Sequence, residues 1–177
     1  MGEPVSDPWN RIVKLHEVSR GPLKLTLEAG GAERAVIARR LDLQSLSSFR
    51  AEIVASPWLD GLELSGRFDA TVEQICGVSL EPFEASVTGD IAVRIVPAGS
   101  AHAPPPEEGD LEFDADSPDA PDVIADDAVD IAEYLVEHLS LELDPFPRKP
   151  GVTFDYAPPT EDLSPFAALR KLAEPTA

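Results

Sequence analysis

The sequence lacks the features of disulfide-stabilised and membrane-spanning proteins. It has one cysteine among 177 residues, so no internal disulfide can form. No apolar run reaches the roughly 18–20 residues that a membrane-spanning helix needs. The first residues, MGEPVSDPWNRIV, have acids and prolines where a signal peptide has a basic and then an apolar region. These absences predict a soluble, cytoplasmic protein with no membrane association.

Basic residues are also few, and their distribution along the chain is uneven. The chain has 14 Lys and Arg against 33 Asp and Glu, a net charge of −19. Residues 1–60 hold eight of each sign, so the whole acidic excess lies in residues 61–177. Proteins that bind phosphates normally cluster Lys and Arg, and this half would repel a polyanion. The acidic half therefore favours solubility or a basic protein partner.

The single cysteine, Cys76, has no partner for metal or redox chemistry. Ser79 stands where the second cysteine of a C-x-x-C pair would be. Glu73, Glu81 and Glu84 are the charges nearest in sequence, and they oppose the lowered pKa that a reactive thiol needs. The strand phase places Cys76 on an inward face. We therefore expect a small buried residue and no metal site.

No other catalytic constellation is present. The three histidines, His16, His102 and His138, have no motif partners, so neither a triad nor a metal cluster can be assembled. Glu133 and Glu137 are one turn apart, a spacing common on solvated helix faces. There is no P-loop and no G-x-G-x-x-G. The sequence predicts a protein that is not an enzyme and that needs no cofactor.

Two long runs of alternating apolar and polar residues, about 62–75 and 83–96, give the strongest structural pattern. Such alternation is typical of half-buried strands, and the short connection predicts an antiparallel hairpin. Gly66 and Gly89 are candidate bulge or bend positions. Further strands are predicted at 21–29 and 48–56. The inward series is Leu62, Leu64, Gly66, Phe68, Ala70, Val72 and Gln74, followed by Phe83, Ala85, Val87, Gly89, Ile91, Val93 and Ile95.

Helices are predicted at 31–41, 130–143 and 164–173. The second has an apolar stripe of Ile131, Leu135 and Leu139, and Asp130 and Glu133 have the spacing of a capping box. Residues 97–122, rich in Pro, Ala and acids, predict a flexible loop with a candidate edge strand at 111–113, and a loosely ordered tail follows from about 150. The whole chain, 1–177, is thus predicted to be one α+β domain: an antiparallel β-sheet with a long central hairpin, packed by two or three helices.

Several segments, in this order, resemble the YceD family, the large ribosomal RNA subunit accumulation proteins. The segments are GAERAVIARRL (31–41), as in an alphaproteobacterial branch, CGVSLEPF (76–83), VDIAEYLVEHLSLELDPFPRKPG (129–151) and SPFAALRKL (164–172). The family's first motif is C-x-R-C-L-x-P-F, and here Val78 and Ser79 replace its Arg and second Cys. Residues in step with the family motifs are Cys76, Leu80, Pro82, Phe83, Asp130, Ile131, Glu133, Glu137, Leu139, Leu141, Leu143, Pro145 and Pro147.

The resemblance implies a non-enzymatic role in 23S rRNA accumulation and large-subunit assembly. At the first motif it implies a turn in which Leu80 and Phe83 anchor apolar surface and Pro82 restricts the backbone. The acidic half favours a ribosomal protein or assembly factor as partner. The 23S rRNA is an open alternative, with direct binding disfavoured, and Arg34, Arg39 and Arg40 are then the candidate RNA-proximal residues. An acidic adaptor that binds a protein unrelated to ribosomes is the competing interpretation.

Overall fold

Strands dominate the computed structural model, which describes residues 11–104 and 119–155. The mixture of strands and helices confirms the predicted α+β class. The elements, in chain order, are β1 (Ile12–Lys14), α1 (Leu15–Val18), β2 (Leu23–Glu28), α2 (Gly31–Arg40), β3 (Ser45–Trp58), β4 (Gly61–Ile75), β5 (Pro82–Pro97), β6 (Asp122–Ile124), β7 (Ala128–Asp130) and α3 (Ile131–Glu142).

The main sheet has five strands in the order β2-β3-β4-β5-β6. Strands β4 and β5 form the predicted antiparallel hairpin, with Leu62 opposite Ile95 and Gln74 opposite Phe83. Short β6 adds to β5 in the parallel direction. The strands predicted at 21–29 and 48–56 are β2 and β3, so periodicity located all four long strands of this sheet.

The glycines of the hairpin do not form bulges. Register runs without a shift through Gly66 and Gly89, and the one irregularity between β3 and β4 lies between Leu46 and Ser48. The bulge alternative was therefore wrong, while the bend alternative stays a prediction. A Cβ on Gly89 would lie 2.5 Å from Cζ of Phe68, so this glycine leaves room for a buried ring on the same face.

One face of the sheet is covered and the other is open to solvent. On the covered face the ring of Phe49 meets that of Phe68 edge-on, with centroids 5.9 Å apart and planes at 89°. Helix α3 lays its predicted apolar stripe on this face, and α2 adds Ile37 and Ala38. Alternation in the strands thus separates core from solvent. Core residues include Leu25, Leu27, Ala51, Ile53, Leu62, Leu64, Ala70, Val72, Ile91, Ile95, Ile131, Leu135, Val136 and Leu139.

A second, two-stranded sheet joins the beginning of the described chain to the start of α3. Strand β1 pairs antiparallel with β7, with Ile12 opposite Asp130. The Ile131 amide donates to the Arg11 carbonyl at 2.9 Å, and the Leu15 amide donates to the Asp127 carbonyl at 2.8 Å. These contacts fix the position at which α3 begins.

Part of the predicted organisation lies outside the described residues. This applies to most of the acidic loop, including the candidate strand at 111–113, to the helix predicted at 164–173 and to most of the tail. The end of the predicted loop is ordered, because Asp122 begins β6. Within the described ranges, no helix is long and apolar enough to cross a membrane.

Candidate functional site

The two central family-like motifs meet at one end of the hairpin. We call residues 76–81 the turn segment and residues 144–149 the post-helix segment. The Gly77 amide donates to the Pro147 carbonyl at 2.9 Å, and the Lys149 amide donates to Cys76 Sγ at 3.4 Å across 73 residues of sequence. Lys149 Nζ also pairs with Glu81 at 2.8 Å. These contacts hold the two segments together, and we call this set of contacts the clasp.

The Cys76 thiol is the centre of this clasp. It is fully buried, and Sγ accepts hydrogen bonds from the amides of Val78, Ser79 and Lys149, each at 3.4 Å. Hydrogen bonds to sulfur favour the thiolate. The Ser79 hydroxyl and amide, followed by the Lys149 amide, lower the pKa of Cys76 to about 6. The thiol is therefore an acceptor that organises the turn.

This environment corrects part of the sequence-based interpretation of Cys76. Cys76 is buried, as expected, and it lies in the turn directly after the last residue of β4, which agrees with the predicted strand end at about 75. The expectation that neighbouring carboxylates would dominate the pKa of Cys76 was wrong. Glu81 is paired with Lys149, and the hydrogen bonds to the sulfur, from the Ser79 hydroxyl first and then from the surrounding amides, outweigh the cost of burial.

The other residues of the first motif differ in how far they are exposed to solvent. Leu80 is 75% exposed and adopts φ +58, and its amide donates to the Cys76 carbonyl at 2.9 Å. The expectation that Leu80 anchors apolar surface was wrong, because three-quarters of the residue is exposed. Pro82 begins β5 and is exposed, whereas Phe83 is half-buried opposite Gln74.

Asp130 is the N-cap of α3, as predicted, but it does not form the expected capping box. Its carboxylate accepts from the Ala132 amide at 3.0 Å and from the Arg11 amide at 3.2 Å. Glu133, the other half of the expected box, pairs with Arg40 instead. The cap therefore ties α3 to the strand pair β1–β7 as well as starting the helix.

The ion pair between Arg40 and Glu133 joins α2 to α3. The guanidinium contacts both carboxylate oxygens, with Nη1 to Oε2 at 2.6 Å. About half of each side chain is exposed, and the arginine lowers the pKa of Glu133. Glu137 is exposed one turn further along α3. A motif glutamate therefore pairs with one of the predicted RNA-proximal arginines. Their contact fixes α2 against α3.

The other two predicted basic residues lie together, apart from this pair. Arg34 and Arg39 line one groove beside Leu46. Arg34 Nη1 donates to the Ala29 carbonyl at 2.7 Å, and Arg39 Nε donates to the Ala35 carbonyl at 3.3 Å. Both guanidiniums therefore contact backbone carbonyls of their own region.

Sequence reasoning did not find Lys149, Gln74 and Asp144 as members of the site. Gln74 Nε2 reaches the Asp144 carbonyl at 3.5 Å, which adds a contact between β4 and the post-helix segment. Pro145 is exposed, whereas Pro147 is half-buried where its carbonyl accepts from Gly77. Across the part of the chain that the structure describes, no group of three or more His, Cys, Asp or Glu could hold a metal ion.

Comparison with known proteins identifies a family. The family model described as "Large ribosomal RNA subunit accumulation protein YceD" matches residues 64–173, more than half of the chain. No curated protein and no solved structure gives a significant match. The matched region spans the hairpin, the turn segment, α3 and the post-helix segment. On this evidence the chain belongs to the YceD family of large ribosomal RNA subunit accumulation proteins.

Proposed function

We propose that this chain is a non-enzymatic ribosome-biogenesis factor that acts in the cytoplasm through protein partners. It supports accumulation of 23S rRNA and assembly of the large ribosomal subunit. The observation that carries the proposal is the family match over residues 64–173, whose description names large ribosomal RNA subunit accumulation. A ribosomal protein or an assembly factor is the partner class we favour.

The charge distribution supports action through proteins. Residues 61–177 hold the entire acidic excess. On the open face of the hairpin, Arg94 lies 3.3 Å from Glu63 and Arg67 lies 3.9 Å from Asp90. Such pairing reduces the positive potential available to phosphates, whereas excess carboxylates attract a basic protein surface.

Deletion of the gene tests the biological role. The expected result is a lower ratio of 23S to 16S rRNA and a reduced large-subunit peak in sucrose gradients, both restored by re-expression. An unchanged ratio together with a normal large-subunit peak would refute the role in ribosome assembly and favour an adaptor unrelated to ribosomes.

A binding experiment tests the protein-mediated mechanism separately. Purified chain is titrated with 23S rRNA in filter-binding assays over a range of salt concentrations. We expect weak binding, because direct phosphate contacts need several Lys or Arg and produce a steep salt dependence. Tight binding with a steep salt slope would contradict action through proteins and would support direct RNA contact.

A further inference from the structure

A groove lined by both apolar and polar residues lies beside the clasp, where three separate segments meet. These are the loop after α2 (41–44), the end of β4 (74–75), and residues 140–147, which run from the last turn of α3 into the post-helix segment. Its volume is about 450 Å³, within the range of roughly 300–1,000 Å³ common for binding sites. We call it the motif groove. Its apolar lining is Leu41, Leu43, Ile75, Leu143, Pro145 and Pro147.

Hydrogen bonds hold each wall of the motif groove. The Leu43 amide donates to the Ala38 carbonyl at 2.9 Å, and the Gln44 amide donates to the Glu73 carbonyl at 3.0 Å. On the other side, Asp144 Oδ1 accepts from the Phe146 amide at 2.8 Å. A groove fixed in this way needs little ordering on binding, which leaves more of the contact energy for affinity.

The charged residues that line the motif groove, Asp42 and Asp144, are both acidic. Asp42 and Asp144 are exposed among its lining residues, and none of the described residues that line it is Lys, Arg or His. The remaining polar lining residues, Gln44, Gln74 and Ser140, are neutral. Apolar lining residues beside two exposed carboxylates complement an apolar side chain flanked by Lys or Arg, and the carboxylates disfavour phosphates.

We propose that the motif groove binds a basic protein segment that inserts one aliphatic or aromatic side chain between the walls. This inference rests on the proposed function for its partner class, because proteins that assemble on RNA contact its phosphates with clustered Lys and Arg. The apolar lining residues contact the anchor, and Asp42 and Asp144 attract the flanking cations. Pro145 and Pro147 of the second motif are wall residues of this groove.

Titration of isotope-labelled full-length chain by NMR tests the groove directly. The probe is a short synthetic peptide of Lys and Arg with one central Leu. We expect the amide shifts to concentrate at residues 41–44, 74–75 and 140–147. Matched probes replace the Leu by Ser or every Lys and Arg by Glu, and both should bind more weakly. A short single-stranded RNA should leave these amides unmoved.

Charge-neutralising variants test whether Asp42 and Asp144 contribute to peptide binding. The double variant Asp42→Asn and Asp144→Asn removes two charges, while Asn tolerates the left-handed φ of +55 at position 42 and retains a side-chain acceptor at position 144. Because exposed ion pairs are individually weak, we expect affinity for the basic peptide to fall about fivefold. The control, Asp69→Asn with Asp90→Asn, removes equal charge from the open sheet face and should leave affinity nearly unchanged.

Replacement of an apolar lining residue by a more polar one tests whether the groove binds an apolar anchor. Ile75→Thr keeps a β-branched side chain in β4 but removes apolar surface from the groove, and should weaken binding of the Leu-centred peptide. Ile12→Thr is the matched control, because Ile12 is also an exposed isoleucine on a strand, outside the groove. Equal loss from both variants would contradict an anchor in the motif groove.

The outcomes separate this inference from the proposed function. If deletion lowers 23S rRNA but the basic peptide leaves the groove amides unmoved, the groove assignment is overturned and the biological role stands. If the RNA probe shifts the same amides, the occupant is nucleic acid and the inference is wrong. If the peptide binds at the groove while deletion leaves 23S rRNA normal, the groove stands and the biological role fails.

Discussion

Replacement of Gly89 by alanine should destabilise the protein, because the added methyl group would clash with the buried ring of Phe68. Gly89 lies in β5 directly opposite Phe68 of β4. A Cβ at position 89 would lie 2.5 Å from Cζ and 2.8 Å from Cε1 of Phe68, and 2.9 Å from Cγ of Glu142. Non-bonded carbons prefer separations of about 3.5–4.0 Å, so the added methyl must displace its neighbours by up to about 1 Å.

The two neighbours differ in their freedom to move. Glu142 is exposed at the end of α3, so its side chain can rotate away. Phe68 is 2% exposed and packs edge-on against Phe49, so moving it disturbs the core. Overpacking of this kind costs about 1–3 kcal/mol, and each kcal/mol lowers Tm by about 2–4 °C in a chain of this size.

Urea unfolding followed by circular dichroism measures this loss. The control Gly31→Ala adds the same methyl at the start of α2, where the nearest atom would be Arg34 Nη2 at 3.9 Å. It should leave stability unchanged or slightly higher. In a Phe68→Leu background the cost of Gly89→Ala should fall, because the ring atoms are gone. A Gly89→Ala variant within about 0.5 kcal/mol of the wild type would refute the packing argument.

Three other predictions concern the clasp and the contact between the helices. Because the folded-state pKa of Cys76 lies near 6, below its ordinary value of 9.0, its thiolate contributes stability that is full above pH 9 and is lost as pH falls towards 6. Urea midpoints of Cys76→Ala in reductant should therefore approach the wild type at low pH and diverge from it at high pH, and a gap independent of pH would contradict this. A double-mutant cycle of Arg40→Gln and Glu133→Gln should give a coupling of about 0.5–1 kcal/mol that shrinks with salt, whereas no coupling would remove the helix–helix role of the pair. Leu80→Gly should raise stability by about 1 kcal/mol by relieving φ +58 at an exposed position, and a lower urea midpoint would show that the side chain packs in the fold.

Alternation in the sequence was enough to predict the long strands and the face of each that is buried. Leu62, Leu64 and Val72 follow a period of two, and all are buried. Helix α3 was equally visible, because Ile131, Leu135 and Leu139 repeat at helical spacing and are fully buried. These elements are long enough for periodicity to exceed chance.

Short and non-local features could not be predicted in this way. Strands β1 and β7 have three residues each, and their pairing of Ile12 with Asp130 joins distant parts of the chain. The surroundings of Cys76 were missed for a related reason. Its hydrogen-bond donors include backbone amides, one of them 73 residues away, and a sequence pattern does not reveal the direction of an amide. Resemblance to the family identified both motifs in the sequence. Their contact is visible only in the folded structure.

The most direct test of the central claim is the ratio of 23S to 16S rRNA during controlled depletion of this chain. We expect newly made 23S rRNA to fall relative to 16S rRNA as the protein disappears, and re-expression of the wild type to restore the ratio. A ratio that stays constant after the protein has been depleted would contradict a role in large-subunit RNA accumulation.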